Sequence, residues 1–111
     1  MYGFDSAWVD VRRRDAVTRV GLDGKTIATA KLMGGFAFGV GAGPDAMWAT
    51  TGPHPDAGCD RAESVSFVVR IDPATTTANG RTPVACAFAV AATADAVWVV
   101  GSELQRIEPA P

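Results

Sequence analysis

The feature that most constrains this chain is a tryptophan that returns three times in the same local setting. Asp5-Ser6-Ala7-Trp8-Val9, Asp45-Ala46-Met47-Trp48-Ala49 and Asp95-Ala96-Val97-Trp98-Val99 each carry an Asp three positions before the Trp. Two further elements recur in the same order. Thr18-Arg19-Val20, Val69-Arg70-Ile71 and Gln105-Arg106-Ile107 follow the three tryptophans, while Phe38-Gly39-Val40 and Phe88-Ala89-Val90 each start ten residues before a Trp. Elements that return in a fixed order mark a repeat architecture, in which each unit buries its apolar face only against a neighbouring copy.

The spacing shows which part of the repeat is fixed. Trp8, Trp48 and Trp98 are 40 and 50 residues apart. From each Arg to the next Trp the distance is 29 and then 28 residues, whereas from Trp to Arg it is 11, 22 and 8. Length variation is therefore confined to one connection, as expected for loops on one face of an array.

The segments are short, rich in Val, Phe, Trp and Thr, and divided by Gly, Pro and Asp, which is strand chemistry. Four strands per repeat are expected. The first is small and apolar, Phe36 to Ala42 and Cys86 to Ala92. Gly43-Pro44-Asp45 or Thr93-Ala94-Asp95 turns the chain into the Trp strand. A variable loop leads to the Arg strand, Ala16 to Leu22 and Ser66 to Asp72. Asp23-Gly24 or Pro73-Ala74 then turns into a polar fourth strand, Lys25 to Lys31 and Thr75 to Asn79. Asp-Gly suits a hairpin because both positions tolerate positive φ.

Four-stranded antiparallel units with a period near 40 match the blade of a β-propeller, so the expected fold is all-β, an incomplete propeller. The units are a blade remnant over 4–33, a full blade over 36–84 with an insertion over 50–63, and a partial blade over 86–109. The remnant is read as starting at its second strand. Gly39, Gly41, Ala89 and Ala91 would leave room at a crowded axis, and Trp8, Trp48 and Trp98 would pack blade against blade. Arg19, Arg70 and Arg106 recur at one strand position, which points to a structural role such as lying along the next blade.

Composition narrows the function classes. At 111 residues the chain makes one domain at most, and 48% apolar residues exclude a disordered chain. Ten basic against twelve acidic residues, net charge −2, give no reason for bulk binding to nucleic acid or to an anionic membrane. The sequence Met1 to Ser6 lacks the basic-then-apolar pattern of a secretory leader. Val84 to Gly101 is Ala-rich and interrupted by Asp95, a poor spanning helix.

The segments Asp95-Ala96-Val97-Trp98-Val99 and Arg70-Ile71-Asp72-Pro73-Ala74-Thr75-Thr76-Thr77 resemble the repeats of YVTN-type and streptogramin-lyase-like β-propellers, and the resemblance covers nearly the whole chain. It implies a propeller that serves as a binding module or scaffold. The family includes a lyase that opens a cyclic peptide with His and Glu residues and a divalent metal, often with Gly-Pro-His-Gly before the first strand. The matching positions are Gly34-Gly35-Phe36-Ala37 and Val84-Ala85-Cys86-Ala87. Neither has the His, so no catalytic residue, metal ligand or cofactor site carries over. An enzyme of the lyase or lactonase type, acting on a small cyclic ester, is the alternative, and it would need clustered His and Glu.

In a propeller the loop after the Trp strand and the loop before the first strand open on the same face. Arg12, Arg13 and Arg14, together with His54, Asp56, Asp60, Arg61 and Glu63 of the insertion, are the candidate ligand-binding residues there. Three successive arginines suit a carboxylate or phosphate. His54 beside Asp60 and Glu63 is chemically able to bind metal, although a lone His between Pro53 and Pro55 is a weak motif. Cys59 and Cys86 fall on this face of adjacent blades, where a disulfide would pin the insertion in an oxidising compartment. Even a four-bladed ring needs roughly 160 residues. The expected partners are therefore further blades or further copies of the chain, beside a protein or small-molecule ligand.

Overall fold

The computed structural model describes residues 1–11, 14–32, 35–52, 66–84, 87–101 and 104–107. These form eleven strands and no helix. The strands are β1 (Tyr2–Gly3), β2 (Ser6–Val11), β3 (Ala16–Gly21), β4 (Thr26–Lys31), β5 (Phe36–Ala42), β6 (Met47–Gly52), β7 (Ser66–Asp72), β8 (Thr77–Val84), β9 (Ala89–Ala92), β10 (Val97–Val100) and β11 (Leu104–Ile107). They make three antiparallel sheets, β1-β2-β3-β4, β5-β6-β7-β8 and β9-β10-β11, each in sequence order.

The middle sheet is packed on both faces. Met47, Ala49, Val69 and Ile71 meet Trp8, Val17, Ala30 and Leu32 of the first sheet. Trp48, Val68 and Val84 turn the other way and meet Val90, Val97 and Val99 of the third. Side chains alternate across a strand, so a strand covered on both faces reads as a continuous apolar run. All six residues of β6 are buried accordingly.

The repeat is preserved in register. Trp8 lies opposite Arg19, Trp48 opposite Arg70 and Trp98 opposite Arg106. The turns repeat as well: Gly43 N donates to Ala46 O and Thr93 N to Ala96 O, both at 2.9 Å. Phe38 and Phe88 meet across the second interface, ring centroids 6.0 Å apart.

Several elements differ from the sequence expectation. The first unit has an inner strand, β1, paired to β2 through Tyr2 with Ala7 and Gly3 with Ser6. Phe4 and Asp5 both take positive φ in the connecting turn. That backbone usually calls for Asn-Gly or Asp-Gly, so Phe-Asp does not announce it. The insertion was expected from residue 50, yet Thr50-Thr51-Gly52 complete β6, with both threonines buried. The fourth strand of the middle sheet runs to Val84 instead of ending at Asn79. Pro83 is tolerated because β8 is an edge strand and needs no donor on its outer side. β9 begins at Ala89 rather than Cys86, and 85–86 lie outside the described residues. At the β3–β4 turn only Gly24 has positive φ. The connection is a wider loop in which Gly21 N donates to Lys25 O.

Candidate functional site

Antiparallel meanders send alternate connections to opposite ends of the sheets. At one end the β2–β3 and β4–β5 connections meet. Arg14 O accepts from Ala37 N at 2.8 Å, and Asp15 O from Leu32 N at 2.7 Å. Gly35 sits there at φ 124°, and a Cβ on it would lie 2.4 Å from Gly52 O. Only glycine allows that approach of β5 to the end of β6.

Of the candidate binding residues, Arg14 is described at this end, with an exposed side chain and an engaged carbonyl. Arg12, Arg13, His54, Asp56, Asp60, Arg61 and Glu63 lie outside the described residues, as do Cys59 and Cys86. Among the described residues, no three His, Cys, Asp or Glu side chains gather as a metal site.

At the opposite end stand the arginines whose recurrence points to a structural role. Arg19 projects from β3 over the Trp8 ring, 4.9 Å from its centroid. Its Nε donates to Ser6 Oγ at 2.8 Å and its Nη2 to Phe4 O at 3.0 Å. Its Nη1 crosses to the middle sheet, donating to Pro73 O and, at 3.3 Å, to Thr76 Oγ1. The receiving turn is held by Thr76 N on Asp72 O and by the Asp72 carboxylate on Ala74 N, both 2.8 Å. One guanidinium thus ties a tryptophan, its own inner turn and the outer turn of the next sheet. The cation–π contact and the charge-assisted bonds act together.

Arg70 occupies the same register position one sheet on, but its surroundings differ. Ala46 replaces Ser6, so the hydroxyl acceptor is gone. The Arg70 side chain has no hydrogen-bond or ion-pair partner among the described residues. It lines a cleft of ≈ 80 Å³ with Asp45, Trp48 and Thr93. The Ser-to-Ala change is legible once the repeats are aligned, but the open cleft depends on the packing of sheet against sheet.

Arg106 stands over Trp98, 5.8 Å from the ring centroid, on the outer face of the third sheet. No family model matches the chain, and no curated protein matches it.

Proposed function

We propose that the chain is a propeller-type binding or scaffold module, similar in its repeats to YVTN-type and streptogramin-lyase-like blades, whose ring is completed by further sheets. The observation that carries this reading is the Trp–Arg pair, directly opposed at one register position in three consecutive sheets. Each sheet is a meander in chain order, and the first and middle sheets each pack their Trp-bearing face against the following sheet. The inner strands β5 and β9 approach backbone to backbone, since a Cβ on Gly39 would lie 2.4 Å from Phe88 O and one on Gly41 2.2 Å from Val90 O. Crowding at the inner strands is what a wedge of blades around an axis requires. Ligands would then be taken by the loops at the Arg14 end, where connections from neighbouring sheets converge.

The wedge is tested by spin-label distances in a Cys59→Ser, Cys86→Ser background. The first pair, Asp5→Cys with Asp45→Cys, marks inner turns of the first two sheets. The second, Lys25→Cys with Thr75→Cys, marks their outer turns. A propeller predicts a longer outer distance than inner distance. Equal distances would mean parallel stacking and overturn the reading.

A further inference from the structure

Asn79 is the only asparagine of the chain, and Gly80 follows it. An Asn-Gly pair usually makes a tight hairpin turn. Here it lies inside β8, the outer strand of the middle sheet. The register shows how the strand accommodates it. Arg70 pairs with Gly80 and Ile71 with Ala78, so Asn79 is the extra residue of a β-bulge and has no cross-strand partner. The first sheet is irregular at the same place: Arg19 pairs with Ala28 and Val20 with Thr26, which leaves out Ile27. The bulge thus belongs to the repeat, and the middle sheet fills it with Asn79-Gly80 where the first has Ile27-Ala28.

Further observations leave the pair free to react. Asn79 and Gly80 are both exposed. The Asn79 carboxamide has no hydrogen-bond partner among the described residues. A Cβ built on Gly80 would meet nothing within 4 Å, so the space beside that backbone is open. Local opening of an edge strand breaks pairing to one neighbour only. Asp23-Gly24 has the same spacing but differs in chemistry. The Asp23 carboxylate accepts from Lys25 N at 3.0 Å, and an ionised carboxylate is a poor electrophile.

We infer that Asn79 is a site of spontaneous modification, converting through a cyclic imide to aspartate and isoaspartate. The Gly80 nitrogen attacks Cγ of Asn79. The new N–Cγ bond forms as the bond from Cγ to the carboxamide nitrogen breaks. That nitrogen leaves as ammonia, taking the Gly80 amide proton. Water then opens the imide. Hydrolysis at Cγ yields aspartate in a normal chain, and hydrolysis at the Asn79 main-chain carbonyl yields isoaspartate, with the chain routed through Cγ. Nothing is oxidised or reduced, and water is the only co-reactant. Either product places a negative charge in the uncharged Thr77–Gly80 stretch of the outer edge. Charge on an edge strand opposes edge-to-edge pairing.

The test is the intact mass of the folded chain held in mildly alkaline buffer made with heavy-oxygen water. Fragmentation places the change and circular dichroism verifies folding. One exchange of NH2 for labelled OH is expected at position 79, with isoaspartate the larger fraction. Its rate in the folded chain should lie within severalfold of the rate in guanidinium chloride. Gly80→Ala fits the open space and needs no positive φ, so this variant should fold and convert severalfold more slowly. Asn79→Gln should abolish the exchange. A folded chain that keeps its mass while the unfolded chain converts would overturn the inference, because β8 would then shield the pair. Conversion at Gln105 in place of Asn79 would overturn it too, as would a Gly80→Ala chain that converts as fast as the unmodified one.

Discussion

The strands β6 and β10 descend from the same motif and live in opposite environments. Both follow an Asp-Ala dipeptide and the same turn, and both hold the central place in their sheets. β6 is buried along its whole length, whereas β10 alternates buried and exposed. Trp48 is 9% exposed and Trp98 36%, against 1% for Trp8. Local chemistry makes these strands. Whether their second face is core or surface depends on what stacks on them. A repeat sequence therefore shows how a sheet is built, but the number of neighbours decides which of its residues stabilise it.

The largest expected effect lies in the tryptophans. Trp8→Ala or Trp48→Ala should cost about 3–5 kcal/mol, the usual range for emptying a buried aromatic site. Trp98→Ala should cost well under half of that when measured by urea unfolding at dilutions where the chain is monomeric. Similar losses at all three positions would erase the contrast between β6 and β10.

Next come the inner strands. Gly39→Ala and Gly41→Ala force a methyl group into the carbonyls of Phe88 and Val90, an overpacking worth about 1–3 kcal/mol each. Ala89→Gly and Ala91→Gly face no packed strand and should cost no more than about 0.5–1 kcal/mol, the backbone entropy of glycine. Urea midpoints of the four variants measure this, and equal effects would show that the third sheet is covered as the second is.

The smallest contrast concerns the arginines. Arg19→Lys keeps the charge but loses the fork that reaches Ser6, Phe4 and Pro73. Its expected cost is about 1.5–3 kcal/mol, the range for hydrogen bonds to charged groups. Arg70→Lys, without such partners, should stay within about 0.5 kcal/mol. Thermal unfolding of the pair sharpens the comparison between the filled turn of the first interface and the open cleft of the second.

Much of the fold was legible in the sequence because strand chemistry is local. Phe36–Ala42 and Ser66–Asp72 have the same bounds in sequence and structure, since Gly, Pro or Asp punctuates their ends. The misses share a physical cause. β1 hangs on a positive-φ turn made from Phe4 and Asp5, and a Phe at the first position gives no turn signal. β8 continues through Pro83 because the outer edge forgives a missing donor. Thr50 and Thr51 read as loop by composition, but they are buried by the sheets on either side. Of the candidate site, Arg14 alone among the proposed ligand-binding residues is described. The Arg70 cleft was invisible to the sequence because it is made by two sheets rather than by a motif.

The central claim is that the Trp98 face is a sheet-packing surface in want of a sheet. Static light scattering of the unmodified chain at micromolar concentration tests it most directly. The account predicts a folded species heavier than the 11.5 kDa chain. A folded, stable species at the chain mass itself would contradict it.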